Sequence, residues 1–257
     1  MKILNLFKIV PLMCLCLLFT NAYARGELQG KTLYVSVDPT NPPFATLEND
    51  FVTPKGLDVD IIMELKRRLG FEIKDNRIYP LLRSDQLQLV KSGNLDILGG
   101  CVSAIPERDV YMDFTSIYYD TGLSFLYKKG KFSNATKVAD FEGAKIGVVN
   151  GTVGVPFLDK RMPNNEREVF PNFMTGILAV ANGSVDAFVY DKPIIDYFAR
   201  TVPSFELEVL NREYEKEFCQ IALGLKNNSP YKDIISREIE AMMNDGTLDR
   251  FIKQYRK

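Results

Sequence analysis

The sequence predicts an α/β protein built as two lobes of similar plan, on three observations. Short apolar, β-branched runs alternate with amphipathic runs at helical spacing, which is the pattern of parallel sheets covered by helices. The segment Ser92-Gly93-Asn94-Leu95-Asp96-Ile97 returns as Asn182-Gly183-Ser184-Val185-Asp186-Ala187. Both read as helix stop, glycine, apolar residue, aspartate and strand, so the plan occurs twice. The 257 residues carry no low-complexity linker, which suits one large or two smaller domains.

The N-terminus sets the compartment. Lys2 and Lys8 flank an almost unbroken apolar run over residues 9–19, and Ala22-Tyr23-Ala24 is a small-x-small cleavage site. Residues 1–24 therefore read as a secretory signal peptide, with the mature chain starting at Arg25. A membrane anchor is the alternative, but the apolar core is well short of the ~20 residues a span needs. Cys14 and Cys16 lack the small residue that a lipoprotein signal places before its cysteine, so a soluble exported protein is expected. Cleavage removes two lysines and no acid, moving the formal charge from −1 to −3. That balance argues against a nucleic-acid partner. Cys101 and Cys219 remain in the mature chain, either as a disulfide or as two buried thiols.

Residues 33–37 alternate and read as a strand, stopped by the prolines of Asp38-Pro39-Thr40-Asn41-Pro42-Pro43-Phe44. Residues 59–69 form a helix with Val59, Ile62, Met63 and Leu69 on one face, Asp58 as its N-cap and Gly70 as its stop. A strand over 71–78, a helix over 84–92 and a strand over 95–98 follow. In the second half, 145–149 is a strand running into Asn150-Gly151-Thr152-Val153-Gly154, 173–182 a helix, and 185–190 a strand ending at Asp191. The C-terminal stripes, Ile234, Ile235, Ile239, Met242 and Met243, then Leu248, Phe251, Ile252 and Tyr255, are helical core faces. Their methionines need no cofactor.

In open α/β sheets ligands bind beyond the carboxyl ends of the strands. That rule selects four loops, at 38–44, 99–108, 150–154 and 191–193, which line one cleft if the lobes face each other. Within 99–108, two glycines allow close backbone approach, Ser103 offers a hydroxyl, and Arg108 offers a fork of donors matching a carboxylate. The alternative is an ordinary turn whose arginine pairs with Asp109 or Asp113. Across the cleft, Asp191 supplies a negative group, so a small zwitterion bridging Arg108 and Asp191 would draw the lobes together. Asp96 and Asp186 read as turn-fixing residues rather than ligand contacts, whereas Tyr118 and Tyr119 could line the cleft or bridge to the hinge. The absence of histidine removes Ser-His-Asp and Cys-His mechanisms.

The order Asp38-x-x-x-Pro-Pro-Phe, Gly56-Leu57-Asp58-Val59-Asp60, Gly93-x-Leu-Asp96, Pro106-Glu107-Arg108, Asp113-Phe114-Thr115, Tyr118-Tyr119, Gly151-Thr152, Gly183-x-Val-Asp186-Ala187 with Asp191, and Asp245-Gly246-Thr247-Leu248 resembles the family 3 extracellular solute-binding proteins. These are the periplasmic amino-acid receptors of ABC transporters. The resemblance covers essentially the whole mature chain. It implies a two-lobed type II periplasmic binding protein fold with a two-strand hinge, lobe 1 being residues 25–120 and 221–257 and lobe 2 residues 121–220. It implies a monomer that delivers its ligand to a membrane permease, with no cofactor and no catalysis. By resemblance Arg108 and Ser103 hold the ligand's α-carboxylate, Asp191 takes the α-ammonium, and a carbonyl near Gly100 takes another ammonium proton. Asp38, Asn41, Phe44, Arg83, Cys101, Thr152 and Val153 complete the expected ligand contacts. Four departures from the family pattern stand out: Asn41 and Arg83 replace aromatics that sandwich the ligand side chain, Val153 replaces a hydroxyl, and Ile105 replaces a threonine. They leave the side chain open, with a polar or charged amino acid favoured; Arg83 would meet an acidic group, Asp38 and Asp58 a basic one. Two alternatives remain on the same fold, a sensor or accessory subunit and a cyclohexadienyl dehydratase-like enzyme. The latter needs an acid that Val153-Gly154-Val155 lacks.

Overall fold

The computed structural model describes residues 26–255, so the signal peptide expected over residues 1–24 lies outside them. Two five-stranded mixed sheets share one plan. In the first, Tyr79–Pro80, Val35–Val37 and Ile97–Gly99 run parallel, and Gly224–Lys226 then lies antiparallel between Ile97–Gly99 and Met112–Phe114. In the second, Arg167–Phe170, Ile146–Val149 and Ala187–Asp191 run parallel, and Leu123–Lys128 then lies antiparallel between Ala187–Asp191 and Leu207–Val209. The chain crosses between the sheets twice, and the crossing segments pair with each other as Tyr119–Asp120 against Gln220–Ile221.

The repeated aspartates explain why both halves close alike. The Asp96 carboxylate accepts the backbone N–H of Tyr34 at 2.9 Å, and Asp186 accepts that of Lys145 at 2.7 Å. Each tethers the start of its own third parallel strand to the residue just before the first strand. Turn-fixing is thus their role.

Helix α1 (Leu57–Leu69) buries Leu57, Ile61, Ile62, Leu65 and Leu69, each 0–1% exposed. Five such side chains, at ~1.5–3 kcal/mol each, fix this helix on the first sheet. The face is rotated from the one read in the sequence, since Met63 points to solvent. Gly56, not Asp58, is the N-cap, and no side chain caps this end. Asp58 is instead fully buried and committed elsewhere. The strand expected over 71–78 divides into Glu72–Ile73 and Tyr79–Pro80 around a 3₁₀ turn at Lys74–Asn76, in which Asp75 has φ 53°.

Helix α2 (Arg83–Lys91) and the single turn α3 (Pro106–Asp109) lie on the first-sheet side. On the second, α4 (Gly154–Arg161) and α6 (Lys192–Thr201) add to the helices that the sequence predicts, and α5 (Phe173–Asn182) lies as expected. Asn172 caps α5, its side chain accepting the Thr175 N–H. Gly176 lets α5 settle on Phe188, whose ring would lie 2.2 Å from a Cβ there. The C-terminal helices α7 (Lys232–Asn244) and α8 (Thr247–Tyr255) bury Ile235, Ile239, Met242 and Leu248 against α1. Among the described residues no helix is long and apolar enough to cross a membrane.

Candidate functional site

A cavity of about 220 Å³ lies between the carboxyl ends of the two sets of parallel strands. A single water needs ~10–15 Å³ of such space, so it has room for a small molecule. The first sheet contributes Asp38, Thr40, Cys101, Ser103 and Arg108 to its wall, and the second contributes Val149 to Val153, Tyr190 and Asp191. The amino ends of α2 and α5 close it through Arg83 and Phe173.

The Gly100-Cys101 turn that starts the 99–108 loop is held from behind. The fully buried Asp58 carboxylate accepts the N–H groups of Gly100 (2.6 Å) and Cys101 (3.0 Å) and the Tyr118 hydroxyl (2.7 Å). Burial raises its pKa above the usual carboxylate value, against the pull of these three donors. Cys101 sits at φ 63°, and at Gly100 a Cβ would lie 2.6 Å from the Asp38 nitrogen. Only glycine fits there. Asp58 and Tyr118 are therefore parts of a loop clamp, set behind the cavity wall rather than on it.

Arg108 is 6% exposed and spans the cleft: Nη1 donates to the Ser103 carbonyl at 2.8 Å and Nη2 to the Gly151 carbonyl of the other sheet at 3.2 Å. Both acceptors are neutral, and among the described residues no carboxylate forms an ion pair with it, Asp109 and Asp113 included. Burial lowers its pKa, and Arg83 adds to that. Facing it, Asp191 ends the strand Ala187–Asp191, and its Oδ1 is buried with no hydrogen-bond partner among the described residues. Burial pushes its pKa up to about 6, against the pull of Arg108. A buried cation and a carboxylate with one oxygen buried, each lacking a charged partner, fit a ligand that carries both opposite charges.

Three expected contacts lie elsewhere. The Gly100 carbonyl already accepts from Asn41 Nδ2 (3.1 Å) and Arg83 Nη2 (2.5 Å), which fills both its lone pairs and leaves none for an ammonium. Asn41 is 2% exposed and links the two sides, since its Oδ1 also accepts the Tyr190 hydroxyl at 2.9 Å. Phe44 is wholly buried, edge-on to Tyr119 with centroids 5.2 Å apart, and its proline-fixed loop turns it into the core rather than the cleft.

The other residues border the cavity. Asp38 Oδ1 accepts from the backbone N–H (3.1 Å) and hydroxyl (2.8 Å) of Thr40, and Oδ2 from the Arg83 N–H (3.1 Å). The Arg83 guanidinium also donates to Gln86 Oε1 (2.7 Å) and, more loosely, to the Cys101 carbonyl (3.3 Å). The Thr152 hydroxyl is spent on the Val149 carbonyl at 2.8 Å, and Val153 presents an apolar surface. Cys101 and Cys219 are both buried free thiols, so the unbridged alternative holds in this structure. Sequence reading missed Tyr190, Phe173, Leu82 and Leu87 as cavity residues. Tyr190 was within reach of the strand-end rule, because it immediately precedes Asp191. Among the described residues no cluster of three metal-ligating side chains occurs.

Comparison with known proteins agrees with this architecture. The chain is 30% identical over 226 residues to the "Probable histidine-binding protein" of Campylobacter jejuni, covering 87% of this chain and 84% of the relative. It is 25% identical over 225 residues to the L-cystine-binding protein TcyJ of Escherichia coli K12, covering 87% and 82%. Such relatives are transport binding proteins rather than enzymes. An ancestral arginine-binding protein solved bound to glutamine superposes with a TM-score of 0.78 at 23% identity, covering 87% of this chain and 97% of that one, and shares its type II periplasmic binding fold. The model of the bacterial extracellular solute-binding proteins, family 3, matches residues 33–257, and the chain belongs to that family.

Proposed function

We propose that the protein captures a free amino acid between two lobes, residues 25–120 with 221–257 and residues 121–220, and presents it to the permease of an ABC transporter from the periplasm. The observation that carries the reading is the pairing of Arg108 and Asp191 across one cavity: Arg108 is buried with no ion-pair partner among the described residues, and Asp191 is half-buried with its Oδ1 buried and unpartnered. Arg108 takes the α-carboxylate through the donors that Ser103 and Gly151 leave free. Asp191 Oδ1 takes the α-ammonium. The relatives are named for binding histidine and cystine, and the solved ancestral protein holds glutamine. Ligands so different in side chain share their α-carbon end.

Because the two charges come from different lobes, a zwitterion favours the closed form by the extra contacts it gains there. The Tyr119–Asp120 and Gln220–Ile221 crossing pair serves as the hinge. The test is mass spectrometry of small molecules released from purified protein on denaturation, followed by thermal shifts against the L-amino acids. An amino acid in the released fraction that also raises the melting temperature supports the reading. No shift with any of them refutes it.

A further inference from the structure

With the α-carbon end of the ligand held by Arg108 and Asp191, the remaining wall, Asp38, Thr40, Leu82, Arg83, Ser84 and Leu87 among it, faces the ligand's side chain. That end contains one cation and one anion. We infer that Arg83 and Asp38 form a specificity filter that admits an uncharged polar side chain and rejects both cationic and anionic ones; this inference rests on the function proposed above.

The positive charge is fixed in place. Arg83 Nη2 is tied to the Gly100 carbonyl at 2.5 Å and Nη1 to Gln86 Oε1 at 2.7 Å. Gln86 is itself fully buried, and its Nε2 donates to Ser36 Oγ (2.9 Å) and the Gly99 carbonyl (3.2 Å). Swinging Arg83 aside would strand Gln86 Oε1 and open the Gly100 carbonyl, so the guanidinium stays where it is when a ligand enters. A lysine or arginine side chain would then bring a third cation into a cavity already lined by Arg83 and Arg108. The negative charge is equally fixed: Asp38 is 4% exposed, and its two oxygens hold Thr40 and the Arg83 backbone. Oδ1 already has two donors and Oδ2 one, leaving a single lone pair for a ligand N–H or O–H. A glutamate or aspartate side chain would bring a third carboxylate beside Asp38 and Asp191. A carboxamide or hydroxyl meets neither objection, because it can donate to Asp38 and accept from Arg83 or Ser84. Leu82, Leu87 and Phe173 supply apolar walls for its methylene stem.

The test is isothermal titration of the mature chain with L-glutamine, L-asparagine, L-serine, L-arginine and L-glutamate, in the wild type, Arg83→Gln, Arg83→Phe and Asp38→Asn. The wild type is expected to bind its best uncharged polar ligand at least tenfold more tightly than arginine or glutamate. Arg83→Gln keeps a donor for the Gly100 carbonyl while removing charge, and should improve the arginine-to-neutral ratio at least tenfold. Arg83→Phe should do the same with the hydrogen bond lost as well. Asp38→Asn should improve the glutamate ratio instead. Tightest wild-type binding of arginine or glutamate, or ratios unmoved in folded variants of both positions, overturns the filter and leaves the proposed function standing. Failure of a folded wild type to bind any amino acid overturns both.

Discussion

Arg108→Ala tests the proposed hold on the ligand carboxylate most directly. The guanidinium is 6% exposed and donates to two carbonyls, leaving its other N–H groups to receive a carboxylate in a two-on-two geometry. Each charge-assisted bond contributes about 1.5–3 kcal/mol, so losing two removes about 3–6 kcal/mol of binding free energy. At 1.4 kcal/mol per decade, affinity should fall by about 10² to 10⁴. The fold should tolerate the change. Truncation deletes a buried cation that has no ion-pair partner, and water entering the vacated space can reach the Ser103 and Gly151 carbonyls. Titration calorimetry against whichever amino acid the wild type binds measures the loss, and a melt of the ligand-free variant checks the fold. A folded Arg108→Ala protein that keeps affinity within tenfold of wild type would show that the carboxylate is held elsewhere.

Asp191 should make binding pH-dependent. Its pKa of about 6 lies above the ordinary 3.8, and only the ionised form holds an ammonium, so affinity should be full above pH 6 and fall by up to about tenfold per unit below it. By the same sign, this group in the ligand-free protein favours folding at low pH and loses that contribution as pH rises through 6; Asp191→Asn should flatten both profiles in calorimetry and melts. Asp58→Ala strands the Gly100 and Cys101 N–H groups, at about 1–3 kcal/mol each, and should lower the urea midpoint accordingly; an unchanged midpoint would remove the clamp from the account. Gly176→Ala drives a methyl into the Phe188 ring and should cost about 1–3 kcal/mol, recovered in part by Phe188→Leu. No recovery in that double variant would place the strain elsewhere.

What could be read from the sequence was local. The prolines of 39–43, the glycine stops at Gly70 and Gly183 and the repeated aspartates each act within one turn or one strand–helix–strand unit, so order along the chain sufficed. Asp96 and Asp186 even bond to equivalent backbone positions in the two halves. The misreadings concern partners distant in sequence. Asp58 sits where a cap belongs, yet its carboxylate reaches residues 42 and 43 positions away. Asn41 stands where a ligand contact was expected but does not line the cavity, whereas Arg83 does line it; what the sequence hides is that both also donate to the Gly100 carbonyl. Nothing in the pattern around either residue encodes that meeting. Helix α6 was missed because it starts directly from the strand end at Asp191, with Pro193 in its first turn and no separating loop.

The order of strands in the first sheet bears on how the chain is assembled as it is made. Gly224–Lys226, from near the C-terminus, lies between Ile97–Gly99 and Met112–Phe114. Until the last part of the chain emerges, those two strands face a gap with unpaired backbone edges, the kind of surface that invites association with other chains. The second sheet has no such dependence, because all five of its strands come from one uninterrupted stretch between Leu123 and Val209. The sheet of the middle segment is thus complete within that segment, whereas the sheet that carries Arg108 is closed only by a strand that follows that segment in the chain.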